Sequence, residues 1–199
     1  MSYFARGMLN SSNSGTTIYV YDRLAHMGGL SGTTTTAQVV GVGVSGSTSN
    51  MNNRRGASDY SDVEWWLEIY TDIGTTGATA TISYENASGS PGSTTLTIGG
   101  TSPLNQDSRI FPITGNNGEK IRAIGNIIHA TTGTAGSYGI TATRRLATIG
   151  APLANYPNER DWAQLGFPRV HDQACLFFIL MTGTTSSGTL VGDLKLVQG

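Results

Sequence analysis

Cysteine occurs once in this 199-residue chain, lysine twice, and charged residues of all kinds make up only 13% of it. A lone Cys175 excludes an internal disulfide, so the fold must rest on its core or on association. A formal net charge of −1 lacks the basic excess with which proteins neutralise phosphates, so no nucleic-acid partner is expected. The apolar run Ala174–Met181 has eight residues. That is far short of the roughly 20 that cross a bilayer, so no membrane partner is expected either. The opening MSYFARGMLNSS lacks the apolar stretch of a secretion signal, which points to synthesis in a cytoplasm. Ala, Glu, Lys and Leu are too sparse for long helices or coiled coils. What the chain does have is 27 Gly, 27 Thr and 19 Ser, together over a third of its residues. Its 38% hydrophobic content recurs in short strand-like runs, which excludes disorder. The composition is that of a Thr/Gly-rich all-β protein.

Period-2 alternation is clearest from Asp62 to Ile73. Val63, Trp65, Leu67, Ile69 and Ile73 define a core face; Asp62, Glu64, Trp66, Glu68, Tyr70 and Asp72 define an acidic, aromatic one. Ala78, Ala80, Ile82 and Tyr84 continue the pattern beyond the turn residues 74–77, which reads as a hairpin. A second turn at 86–92 leads to a strand at 94–98, completing an expected three-stranded meander. Further strands are expected at 17–21, 38–44, 108–113, 120–130, 138–143, 173–182 and 189–197. The 120–130 strand is apolar on both faces and should be central. Eight or more short strands with Gly-rich turns predict an antiparallel two-sheet β-sandwich of jelly-roll type, in one domain from residue 16 to 199. Three stretches fall outside that pattern: a polar N-terminal arm at 1–15, a long loop at 45–61, and a second at 150–172 pinned by Pro152, Pro157 and Pro168. A long loop needs a job. The aromatic residues Tyr156, Trp162 and Phe167 suit either packing on a neighbouring subunit or folding back over the chain's own sheet.

Catalytic signals are weak. His26, His129 and His171 have no ligand spacing, and neither CxxC, HExxH, GxSxG nor a phosphate-binding GxxxxGKS/T occurs. No catalytic residue, cofactor or metal is therefore expected. The acidic-aromatic face is the one serious candidate surface. Trp66 and Tyr70 suit stacking on a sugar or burial at an interface, and the neighbouring carboxylates lie near glycosidase separations. Arg54-Arg55 and Arg144-Arg145 are the doubled cations, and Arg54 and Arg55 join the candidate interface residues as bidentate partners for carboxylates. Cys175, inside an apolar run, reads as a buried small hydrophobe.

The segment from Tyr21 through Asp22, Arg23, Leu24, Ala25, His26, Met27, Gly28, Gly29, Leu30, Ser31 and Gly32, followed by Thr33–Gln38, forms a DRL…GGLSGT…TTAQ signature. It resembles a group of tailed-bacteriophage virion structural proteins. The strand Glu68–Asp72, the stretch Ala80–Asn86, the Gly183–Gly188 turn and the ending with Leu194 and Val197–Gly199 extend the likeness from about Tyr19 onward. The resemblance implies a component of the phage particle, most like a capsid decoration (cement) protein. Such a protein sits as a homotrimer on the major capsid protein and braces the shell. It would be made in the host bacterial cytoplasm and reside on the capsid surface. A glycan- or receptor-binding module of a head or tail fibre, with a host glycan as partner, is the alternative. No catalytic residue carries over. Asp22 and Arg23 read as a structural pair pinning the Gly28-Gly29 loop.

Overall fold

A computed structural model of the chain describes residues 1–43, 54–101, 106–131, 135–184 and 188–199. They form β1 (Ser2–Ser11), β2 (Thr16–Ser31), β3 (Gln38–Gly43), β4 (Val63–Thr71), β5 (Ala78–Asn86), β6 (Pro91–Ile98), β7 (Ile110–Ile113), β8 (Ile121–His129), β9 (Ser137–Ala151), β10 (Asn158–Asp161), β11 (Arg169–Val170), β12 (Leu176–Met181) and β13 (Leu190–Gln198). The protein is all-β, with several antiparallel sheets and short helical turns at Asn116–Gly118 and Trp162–Leu165. Instead of one domain after an arm, the chain divides into two compact units. Unit 1 comprises 1–23 and 144–199; unit 2 comprises 24–143. The reason lies in two long strands. At 16 and 15 residues, β2 and β9 are far above the usual five or six, and each supplies side chains to both units.

In unit 2, β2-β9-β4-β7 and β3-β8-β5-β6 are two sheets around one core, an arrangement consistent with a β-sandwich. The expected meander is corrected here. β4 pairs with β7, whereas β5 pairs with β6 and β8. The apolar faces of β4 (Trp65, Leu67, Ile69) and β5 (Ala80, Ile82, Tyr84) belong to one core cluster, so the chain crosses between sheets at 72–77 and buries both faces in it. The true hairpin is β5–β6, closed by Asn86, whose Oδ1 accepts from Ser88 N at 3.1 Å and Ser90 N at 2.9 Å. Thr79 lies opposite Thr97 and Thr81 opposite Thr95, all four exposed, while Ala80 opposes Leu96. The abundant threonine thus covers the solvent side of a β-ladder with cross-strand hydroxyl pairs. β8 is interior to its sheet, between β3 and β5.

A buried polar network joins four strands of unit 2. Gln38 closes the 31–38 loop like a strand partner: its Oε1 accepts from Ser31 N at 2.7 Å and its Nε2 donates to Ser31 O at 2.9 Å. The same Nε2 reaches Tyr138 Oη, which lies 2.7 Å from His129 Nε2. Burial holds the His129 pKa below the ordinary imidazole value and pushes Tyr138 up. With a lowered folded pKa, neutral His129 contributes stability that is whole above the unfolded value near 6.5. That contribution is lost as pH falls below it, because the unfolded chain then binds a proton the folded one resists. The urea midpoint is expected to drop between pH 7 and pH 5, and His129→Gln to flatten that part of the profile.

Unit 1 has smaller cores, one around Phe4, Val20, Leu146, Ala147 and Val170, the other around Leu9, Ile149 and Ala151. The expected arm at 1–15 is instead the interior strand β1, flanked by β13 on one edge and by β10 and β11 on the other. Phe4 and Leu9 bury here, and a bulge between Phe4 and Arg6 breaks the alternation that would have announced the strand. Segment 150–172 likewise contains β10, a helical turn and β11, folded back on β1. Cys175 is exposed rather than buried, because it precedes β12, an edge strand paired, among the described strands, only to β2. Of the expected loop at 45–61, residues 45–53 lie outside the described residues; 54–61 are described.

Candidate functional site

The outward face of β4 in unit 2 is the surface singled out by the sequence. Trp66 is half-buried; its Nε1 donates to Thr143 Oγ1 at 2.9 Å, which in turn donates to Glu64 O at 3.1 Å. Tyr70 Oη lies 3.1 Å from His26 Nε2, His26 Nδ1 lies 3.3 Å from Thr141 Oγ1, and Thr141 donates to Ala25 O. A polar ladder thus runs across β2, β9 and β4, with Thr141 and Thr143 fully buried beneath it. Gly139 makes room for it: a Cβ there would fall 2.1 Å from Tyr70 Oη and 2.7 Å from Met27 O. Tyr70 therefore rests on bare backbone, 38% exposed.

Two of the four carboxylates of this face brace loops, and the other two stand far apart along the strand. Glu64 and Glu68 are four residues apart on one strand, about 13 Å at strand rise, beyond the roughly 6.5–9.5 Å of inverting glycosidases. Asp62 Oδ2 accepts from Gly56 N and Asp72 Oδ1 from Asp107 N, so both brace loops. A cleft of about 280 Å³ does contain Glu64, Trp66, Glu119 and Lys120. Glu119 is occupied on both oxygens, by Tyr84 Oη at 2.5 Å and Asn86 Nδ2 at 3.0 Å, and those bonds hold its pKa below the ordinary carboxylate value. Tyr84 is raised, first by burial and then by the bond to Glu119, while its oxygen accepts from Asn116 N. A carboxylate stabilised in its charged form is a poor general acid. This cluster fastens the β7–β8 connection to β5. Among the described residues, no group of three His, Cys, Asp or Glu side chains converges as a metal site.

The remaining candidates fall in different places. Arg54 is buried; Arg55 stacks 4.2 Å over Tyr60 and donates to Ala57 O and Ser58 O, so it closes its own turn. In unit 1, Asp22 is buried and its Oδ1 accepts from Cys175 N at 3.0 Å, while the Arg23 guanidinium lies 4.7 Å over Phe177. Both side chains thus fasten the β12 edge. Gly28 and Gly29 belong to unit 2 and lie within β2, not in a loop. The expected pinning of that loop is corrected accordingly.

Residues 161–167 of the aromatic segment of unit 1 are braced by their own contacts. Asp161 and Gln164 form a reciprocal capping box on the turn that carries Trp162. Trp162 meets Phe167 edge-on at 6.4 Å, and Phe167 stacks on Tyr3 at 4.7 Å. Trp162 is nevertheless 61% exposed and Tyr156 63%. Among the described residues, ten of the exposed large apolar side chains belong to unit 1 and four to unit 2, although unit 1 is the smaller.

Sequence reasoning missed His26, Thr141, Thr143 and Gly139, which complete the β4 face from strands distant in the chain. Thr141 and Thr143 at alternate positions of one strand were the available signal. No protein-family model, curated protein or solved structure matches the chain.

Proposed function

We propose that this chain is a structural component of a bacteriophage particle that decorates and stabilises the capsid shell. In this reading its partners are the major capsid protein and further copies of itself in a homotrimer. It is made in the host bacterial cytoplasm, resides on the capsid surface and carries no enzymatic activity. The jelly-roll form of its sandwich belongs to the same reading.

The observation that carries the proposal is the concentration of exposed apolar side chains on unit 1, Tyr156 and Trp162 among them. Exposed aromatic and aliphatic side chains of this size contribute apolar surface that a stable contact would bury. A capped turn and a stacked ring hold part of that surface in one conformation, so little ordering entropy is lost on contact. The low charge also suits contacts that salt weakens little. The alternative, a glycan- or receptor-binding module, rests on Trp66 and Tyr70. It is the weaker reading, because both polar tips are engaged and Tyr70 lies against Gly139.

Fractionation of the encoding phage tests the reading. The chain is expected in the head fraction in copy numbers comparable to the major capsid protein. Recovery in tails alone would remove the decorating role.

A further inference from the structure

We infer that β13 is a self-pairing edge, through which two copies of this chain join antiparallel about a two-fold axis at Leu194. β13 is nine residues long and pairs only with β1 among the described strands. Its backbone phase is fixed at both ends: Ser12 N donates to Thr189 O, and Gly199 N donates to Met1 O. The odd-numbered residues therefore direct their N–H and C=O groups at β1, and those of Leu190, Gly192, Leu194, Leu196 and Gln198 point to the open edge. A long open edge is a template for another strand.

The side chains specify which strand. Reading Leu190-Val191-Gly192-Asp193-Leu194-Lys195-Leu196-Val197-Gln198 against its own reverse, Leu194 meets Leu194 of the second copy. Asp193 then meets Lys195, Lys195 meets Asp193, and Val191 and Val197 meet each other at the two ends. These pairs fall at non-hydrogen-bonded positions, where opposite Cα atoms approach to about 4.5 Å and side chains interact most strongly. Asp193 and Lys195 are exposed, and neither side chain makes a hydrogen bond or ion pair among the described residues. On β1, the residue opposite Lys195 is Arg6, which is already paired to Glu159 at 2.7 Å, so the chain itself offers Lys195 no acid across that ladder. Val191 is 61% exposed and Leu196 45%. A second copy of the strand answers both charges, covers both valines and completes the backbone ladder. Because the contact is isologous, it is separate from any three-fold contact and doubles whatever assembly the other surfaces build.

Sedimentation velocity on the full chain tests this. The wild type is expected at an even multiple of the chain mass. Asp193→Lys places like charges opposite each other twice per axis, weakening the contact on the order of tenfold and halving the mass at concentrations near the dissociation constant. The swap Asp193→Lys with Lys195→Asp restores complementarity and should restore the mass. Since both residues are exposed, unchanged far-UV circular dichroism shows that the variants are folded. A wild type at a single chain or an odd multiple, a mass unmoved by Asp193→Lys, or a swap that fails to restore it overturns the inference. The result is independent of the phage reading, since the mass can halve whatever the head fractionation gives.

Discussion

Trp65→Ala is expected to lose about 3–5 kcal/mol of folding free energy, the range for truncating a buried tryptophan. Total stability for domains of this kind is about 5–15 kcal/mol, so this one change should bring unit 2 close to unfolding at ordinary temperature. The size follows from position. Trp65 is 3% exposed, sits in the middle of the core face of β4, and donates its Nε1 proton to Ile121 O on β8 at 2.8 Å. It therefore ties one sheet of unit 2 to the other by a hydrogen bond inside their shared core. Alanine removes the ring and leaves a cavity between the sheets. Trp65→Phe separates the two contributions, since it keeps most of the apolar volume and gives up only the donor. It should cost about 1–3 kcal/mol, the penalty for a buried acceptor left short of a partner. Urea titrations followed by far-UV circular dichroism give both values. Equal losses in the two variants would contradict the assignment.

The second large loss is expected at Gly136. Its φ is +91°, and a Cβ there would lie 2.5 Å from Asp72 O and 2.7 Å from Ile73 Cα. The obstruction is main chain, which cannot swing aside as a flexible side chain would. Gly136 O also accepts from Gly32 N at 3.0 Å, and the adjacent Ala135 N donates to Ile73 O at 3.1 Å, so the segment is held on both sides. Gly136→Ala combines a left-handed backbone penalty of about 1–2 kcal/mol with overpacking of about 1–3 kcal/mol. A total near 3 kcal/mol is expected. Gly118→Ala is the control: its φ is +78° with nothing within 4 Å of the added carbon, so only the backbone penalty applies. If both alanines cost the same in parallel denaturation curves, the close approach at Gly136 is not what the residue is for.

These two sites also mark how far the sequence could be read. Trp65 announces itself, because strict alternation from Val63 to Ile69 puts it on the apolar side. Gly136 does not, because its necessity comes from a backbone more than 60 positions earlier. The same division holds across the fold. Strands with clean alternation were legible to within a few residues, but β2 and β9 were read only in part, at 17–21 and 138–143, because burial does not alternate along the rest of either strand. β1 was hidden by its bulge, and β10 and β11 have four and two residues and exist only because β1 pairs with them. Strand partners were less legible than strands, since the apolar faces of β4 and β5 would look alike whether laid side by side or face to face. On the candidate face, Trp66 and Tyr70 were visible from alternation. Their partners Thr143 and His26, 77 and 44 positions away, were not. Arg54 and Arg55 look like free cations in sequence, yet one is buried and the other is committed to its own turn.

On the proposed function, the exposed apolar side chains of unit 1 are covered in a capsid assembly. The most direct measurement mixes the purified chain with expanded, undecorated shells of the encoding phage and follows binding by co-sedimentation and shell disruption by scanning calorimetry. The predicted result is saturable binding with a raised disruption temperature, both lost in a Tyr156→Ser/Trp162→Ser variant that remains folded. A wild-type chain that stays in the supernatant and leaves the disruption temperature unmoved would contradict the claim.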